Sequence, residues 1–209
     1  MIRSLFTGAT GMIAQQLNLD VIANNIANVN TTGFKKSKAD FQDLMYQMVE
    51  EPGTTTTGIG TSPTGIQVGL GVRPAAVGKI HSQGDFESTS NPFDVAIEGD
   101  GFFQITLPTG ETVYTRGGAF KLDQDGNMVN SDGYQLSPSI IIPPDSLGVT
   151  IAADGNVTVR QPNNPTPANV GQIEIVRFQN PAGLRARGRN LFDETEASGT
   201  PTTGIPGEN

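Results

Sequence analysis

The 209-residue chain has no cysteine, no tryptophan and a single histidine. Without cysteine there can be no disulfide, no thiol nucleophile and no thiolate metal site. With His81 alone a multi-histidine metal centre is excluded, and a Ser–His–Asp triad with Ser82 or Asp85 has only their adjacency in its favour. Basic residues are scarce: 13 Lys and Arg stand against 21 Asp and Glu, for a net charge of −8. Phosphate contacts rest on Lys and Arg, so nucleic acid is a poor partner for such a chain. Long apolar runs are missing too, and no segment approaches the ~20 apolar residues that span a bilayer. Near the N-terminus Gly8, Gly11, Gln15, Gln16 and Asn18 break up any signal-type apolar region, and no small-residue cleavage motif comes after it. Export, if it occurs, is expected to use a route that reads no cleavable signal.

Apolar residues make up 35% and aromatics 6%, while glycine (26) and proline (14) are plentiful. That is a composition for short strands joined by turns. From Val72 onward, apolar stretches such as "DVAIEG", "GFFQITL", "SIIIP", "NVTVR" and "QIEIVRF" are separated by turn signals at Pro108–Gly110, Asp125–Asn127, Asp132–Gly133 and Asp154–Asn156. About ten such strands imply an all-β domain of roughly 120 residues, arranged as a hairpin meander.

The first 28 residues read differently. Ile2, Leu5, Ala9, Met12, Gln16, Leu19, Ala23 and Ile26 recur in steps of three and four, a heptad seam. Phe6, Ile13, Leu17, Val21, Ile22 and Val29 widen it, and only Arg3 and Asp20 are charged. A helix of about 40 Å is expected, at ~1.5 Å per residue. A surface helix would carry a charged outer face. Asn, Gln, Ser and Thr instead suit a helix enclosed by other protein, where amides and hydroxyls exchange hydrogen bonds without the cost of burying a charge. A core helix of a single globular domain fits the same pattern.

The helix is expected to end around Asn28–Thr32, with Gly33 as the break. Phe34–Met48 reads as a second helix or an extended arm, and residues 51–69 as a linker or long loop. The polar, turn-rich residues 193–209 offer nothing to pack. The expected fold class is thus α+β, mainly β: a long N-terminal helix at 1–30, an extended connecting arm at 31–71, an all-β domain of short strands and hairpins at 72–192, and a linker at 193–209.

Chemistry is hard to find. A calcium loop needs glycine at its sixth position and glutamate at its twelfth. "DQDGN" at 123–127 has its glycine, Gly126, in fourth place and Tyr134 in twelfth, so a hairpin turn is expected. Neither "GLG" at 69–71 nor "GDG" at 99–101 completes a phosphate loop. Arg185, Arg187 and Arg189 alternate, as on a solvated edge strand or a face turned to an acidic neighbour. No catalytic, cofactor-binding or metal-binding residue is assigned.

"NNIANVNTTGFKKSKADF" at 24–41 resembles the signature of the bacterial flagellar rod and hook axial proteins. "SPTGIQVGLGVRP", "SQGDFESTSNPFDVAIEGDGFFQI" and "YTRGGAFKLDQDGNMVNSDGYQL" are similar in order and wording to the distal-rod branch of that family. The resemblance implies a structural subunit with no enzymatic activity. It would polymerise helically into the rigid hollow drive shaft of the basal body and transmit torque from motor to hook. Implied partners are further copies of itself, other rod proteins, the hook protein and the surrounding bushing rings. The implied location is the periplasm-spanning rod, reached through the flagellar type III export apparatus. The seam from Ile2 to Ile26 would be the subunit interface of an inner tube. Asn24, Asn25, Asn28, Thr31, Thr32, Gly33 and Phe34 carry the family motif and turn. A distal-rod-type insert at about 43–68 would contact neighbours through Leu44, Met45, Tyr46, Met48, Ile59 and Ile66. Family members end in a second heptad helix, whereas this chain stops at Asn209. A hook or proximal-rod paralogue is the alternative within the family. Outside it stands a secreted β-domain module binding carbohydrate or peptidoglycan, against which weigh three Tyr and no Trp.

Overall fold

The computed structural model describes residues 2–53, 55–57, 60–61, 63–162 and 166–207. The fold is α+β and mainly β, with one α-helix at the start and short strands thereafter. It divides into two compact units, Met1–Val29 with Lys36–Ile80, and Asn30–Lys35 with His81–Asn209.

In the first unit, α1 spans Ile2–Ala27. It closes through Asn28 N donating to Asn24 O and Val29 N to Ile26 O, both at 3.2 Å. Of the two readings of Phe34–Met48, a second helix or an extended arm, the helix is not formed: the segment runs through two strands. β1 (Ser37–Asp43) pairs antiparallel with β6 (Val72–Lys79), β2 (Tyr46–Glu50) with β5 (Ile66–Gly69), and β3 (Thr55–Thr57) with β4 (Gly60–Thr61). Between the first two pairs, Leu44 N donates to Gly71 O and Leu70 N to Met45 O, so the ladder barely breaks. β1, β2, β5 and β6 therefore form one nearly continuous two-stranded ribbon, with β3 and β4 a separate short pair within the loop that joins β2 to β5. This corrects the linker reading of 51–69, whose described part includes paired strands. It also moves Val72–Lys79 out of the β domain they were expected to open. The physical reason is that a two-stranded ribbon is held by backbone hydrogen bonds and needs no alternation of apolar residues.

α1 packs on β1 and β6 through a stripe of half-buried or buried residues: Thr7, Thr10, Ala14, Leu17, Val21 and Asn25. Ala14 is the deepest, at 2% exposure. Thr10 Oγ1 donates to Thr7 O at 2.8 Å and accepts from Val72 N at 3.4 Å. At the other end the Asn25 amide behaves like one residue of a strand. Its Nδ2 donates to Ser37 O at 2.8 Å and its Oδ1 accepts from Ser37 N at 2.9 Å.

In the second unit, β7 (Phe102–Thr106), β8 (Thr112–Thr115), β9 (Lys121–Leu122), β10 (Met128–Val129) and β11 (Gln135–Ser137) belong to a nine-stranded sheet. β12 (Gly148–Ile151), β13 (Asn156–Arg160) and β14 (Ala168–Gln172) form a separate three-stranded sheet. β15 (Ile175–Arg177), β16 (Arg185–Gly188), β17 (Leu191–Asp193) and β18 (Thr202–Gly204) complete the large sheet. β7 is its hub and pairs with β8, β11 and β15. Successive strand residues point to opposite faces. Phe103 accordingly enters a cluster with Phe120, Met128, Leu136, Val157 and Val159, while Phe102 enters another with Tyr114, Val176, Phe178 and Phe192. A strand buried on both faces is mostly apolar, as Phe102, Phe103 and Ile105 are in "GFFQITL", where Gln104 and Thr106 are half-buried.

Two further expectations are corrected. "DVAIEG" is not a strand. Asp94 makes an isolated bridge to Ala119, and the carbonyls of Ile97, Gly99 and Gly101 accept hydrogen bonds from the Arg116 guanidinium. The described part of residues 193–209 also packs, through polar and backbone contacts that hydrophobicity does not reveal. β18 pairs with β15, and Ser198 is fully buried. The Ser198 hydroxyl accepts from Thr195 N at 3.0 Å and donates to Thr195 O at 2.8 Å. Ser198→Ala takes a partner from both Thr195 groups, so unfolding free energy is expected to fall by about 1–3 kcal/mol. Urea denaturation checks this; a change within about 0.5 kcal/mol, the usual size for a surface substitution, would return the segment to a loose tail.

Candidate functional site

The helix has two faces. One lies on its own ribbon. The other, which carries the heptad seam, is open: Ile2, Leu5, Met12, Leu19 and Ile26 are each exposed, Leu19 at 64%. Gln16 and Ala23 are exposed beside them and Ala9 is half-buried. Phe6, Ile13, Ile22 and Val29 extend the open apolar surface, whereas Leu17 and Val21 turn toward the ribbon. Exposed contiguous apolar surface of this extent marks an interaction site. Exposure rather than periodicity separates the two faces, since both are spaced at three and four.

The ribbon is a second such surface. Tyr46 and Met48 lie on one face, with the Tyr46 ring over Gly69, and Val49, Val68 and Leu70 are also exposed. Met45 is the most open, Ile66 is exposed and Leu44 is half-buried. Ile59 lies outside the described residues. A two-stranded ribbon alone is marginally stable in water. Its apolar side chains therefore call for a cover.

The family-motif residues divide between the units. Asn24 supplies the carbonyl that accepts from Asn28 Nδ2 at 2.9 Å, and Asn25 binds Ser37. Thr31, Thr32, Gly33 and Phe34 belong to the second unit, with Phe34 N donating to Thr31 O at 3.1 Å. There Thr32 O accepts from Asn190 Nδ2 at 3.0 Å, and Lys35 Nζ donates to Ser82 O at 2.7 Å. Sequence reasoning missed Lys35, Arg116 and Asn190; a buried lysine and a hub arginine leave no periodic trace.

A cavity of about 280 Å³ is lined by Lys35, His81, Asp100, Arg116 and Arg177 among others. Burial, and then the neighbouring Arg116 charge, hold the Lys35 ammonium below its ordinary pKa, opposed by Asp100. Burial likewise lowers the pKa of Arg116, against the pull of Asp100. Arg116 also donates to Gln83 Oε1 at 2.7 Å, so its guanidinium is used to hold residues 83–101. His81 sits against the rings of Phe102 and Phe192, with centroids 5.6 and 5.9 Å away, and Ser82 turns its carbonyl to Lys35. These are structural contacts. The 123–127 segment is a hairpin turn, with Asp123 N donating to Asn127 O. Among the described residues no cluster of His, Asp and Glu has metal-ligand geometry, and no helix is long and apolar enough to cross a membrane. The three arginines sit on or beside β16 at the edge of the large sheet. Arg185 pairs with Asp193 at 2.8 Å, Arg187 with Glu111 at 3.0 Å and Arg189 with Asp132 at 3.8 Å.

Comparison with known proteins identifies two families along the chain. The family described as "Flagella basal body rod protein" matches residues 5–35, and that described as "Flagellar hook protein FlgE/F/G D1 domain" matches residues 96–159. The flagellar basal-body rod protein FlgG of Buchnera aphidicola is 48% identical over 209 residues, covering all of this chain and 80% of its own length. That of Borreliella burgdorferi is 50% identical, covering 99% of this chain and 79% of its own length. The hook protein FlgE of Helicobacter mustelae is 46% identical over 143 residues, covering 64% of this chain and 30% of its own length. Similarity to the rod proteins thus extends along the whole chain, and similarity to the hook protein does not.

Because the seam is open, its substitution should leave the isolated chain intact. Leu19→Asp is expected to change unfolding free energy by no more than about 0.5 kcal/mol, as for other exposed sites. Self-association measured by analytical ultracentrifugation should fall. Loss of helical circular dichroism in the monomer would show instead that the face is used within the chain.

Proposed function

The chain belongs to the flagellar basal-body rod proteins, and from that premise we propose how it works. It is a subunit of the distal rod that polymerises helically into a rigid shaft and carries torque toward the hook. The single observation that carries this reading is the apolar seam of α1, open along its length while the opposite face rests on the chain's own ribbon. A core helix of one domain would have both faces covered. In the proposed assembly Leu5, Met12, Leu19 and Ile26 meet α1 helices of neighbouring copies. Other rod proteins, the hook protein and the bushing rings are its further neighbours. The chain works in the periplasm after leaving through the flagellar export apparatus. The role proposed for it is structural, in keeping with relatives named as flagellar basal-body rod proteins.

The ribbon has its own part in this reading. A rod must resist bending. Tyr46, Met48, Val49, Val68 and Ile66 on a ribbon too thin to bury them supply contacts to neighbouring copies that oppose sliding. Open backbone edges of the ribbon can add a strand pair with a neighbour.

Deleting about residues 47–64 removes the distal half of the ribbon and leaves β1 and β6 paired under α1. Subunits with this deletion are expected to polymerise into a filament that bends. Cryo-electron microscopy and persistence-length measurement check this. Equal stiffness, with no density for the ribbon in the unaltered rod, would reduce it to a spacer.

A further inference from the structure

The short segment Asn30–Lys35 leaves the helix unit and belongs to the β unit, and the chain then returns to form the ribbon at Lys36–Ile80. We infer that this segment is a clasp, and that Gly33 and Asn190 are the residues that position it to carry force from α1 into the β unit. The inference rests on the torque-bearing reading above. Its test uses single molecules, so that either one can fail without the other.

The clasp is built on paired strands. Leu191 of β17 pairs with Thr115 of β8 in the interior of the large sheet. The Thr115 hydroxyl donates to Asn190 O at 2.9 Å and accepts from Gly117 N at 3.2 Å. Asn190 is held in the left-handed region at φ 58°, which aims its amide at Thr32 O. On the other side Gly33, at φ 74°, lies directly on the Gly117 backbone. A β-carbon there would stand 2.7 Å from Gly117 N and 2.9 Å from Gly117 Cα. No side chain fits that approach. Lys35 Nζ closes the far end on Ser82 O. A short loop is thereby fixed, by both backbone and side-chain contacts, to residues flanking β8 and β17 and to Ser82.

The consequence is a path for load. Ile80 N donates to Lys36 O at 2.9 Å, so the ribbon is closed at its base. Force applied at the end of α1 meets the clasp within a few residues and reaches the β unit without passing along the ribbon. If the clasp opens, force falls on Lys36 and Ile80 together and unzips the ribbon one pair at a time.

The absence of cysteine makes the full chain suited to optical trapping through two introduced handles, Ala27→Cys and Asp145→Cys, both at exposed positions. The expected record is a stiff linkage followed by one rupture that releases about 150 Å, roughly 45 residues at ~3.4 Å each. Asn190→Gly keeps the left-handed backbone and deletes only the amide. It should shorten the lifetime before rupture by about 5- to 10-fold, the weight of one hydrogen bond. Gly33→Ala should shorten it at least as much. In both variants the unfolding temperature of the β unit should hold. The inference is overturned if the ~150 Å extension, set by chain length, is present at the lowest load in the unaltered chain. It is equally overturned if neither variant changes the lifetime, or if lifetime falls only in step with unfolding temperature.

Discussion

An apolar helix face that its own chain leaves uncovered is the constraint on which the organisation of this protein turns. Burying each of Ile2, Leu5, Met12, Leu19 and Ile26 would be worth ~1.5–3 kcal/mol, or roughly 8–15 kcal/mol for the five together. Immobilising one partner costs about 4–15 kcal/mol. A single pairing therefore comes close to break-even, and a helix sharing its face among several neighbours does not. The magnitudes favour many copies contacting one another over a discrete dimer. They also explain why the other face of α1 is built of Thr7, Thr10 and Ala14, small residues over which the ribbon can lie closely.

The crowd of asparagines at the end of α1 follows from the same constraint. A lysine or glutamate there would keep water beside the seam and resist enclosure. Asn25 does what a charged group cannot, donating to and accepting from the same Ser37 residue and so joining the helix end to the first strand of the ribbon. Asn28 uses its amide to cap Asn24 O. These amides are satisfied within the chain, which leaves the apolar face free of competing hydrogen-bond demands.

Much of this was legible in the residues, and what was not has a common cause. Helix α1 shows in a 3–4 repeat because one stripe must be covered, and β7 shows in "GFFQITL" because both its faces are. The ribbon left no such pattern. Thr55–Thr57 and Gly60–Thr61 pair through their backbones, and such pairing asks for no alternation along the strand. Ser198 and β18 were hidden for a related reason, since a hydroxyl satisfied by Thr195 and three backbone pairs look like loop composition. "DVAIEG" erred the other way: its apolar residues do face a core, with Ile97 in the main cluster, but its backbone is served by Arg116 rather than by a neighbouring strand. The seam residues were readable one by one, yet their periodicity alone did not tell which of two equally spaced faces the chain would cover for itself.

Charge is divided along the chain in the way such a subunit requires. The β unit, residues 30–35 and 81–209, holds sixteen acidic and eight basic side chains, a net of −8, whereas residues 1–29 and 36–80 hold five of each, a net of zero. Like-charged bodies repel over about a Debye length, roughly 8 Å at physiological ionic strength. So strong a negative charge on the β unit keeps copies soluble and opposes unspecific clustering through their sheets. The helix and ribbon, close to neutral and carrying the open apolar surface, meet no such barrier. In the assembly proposed above, association is thereby directed to α1 and the ribbon and away from the β unit. That selectivity suits such a proposed assembly, in which the open apolar surface meets other copies in one arrangement only.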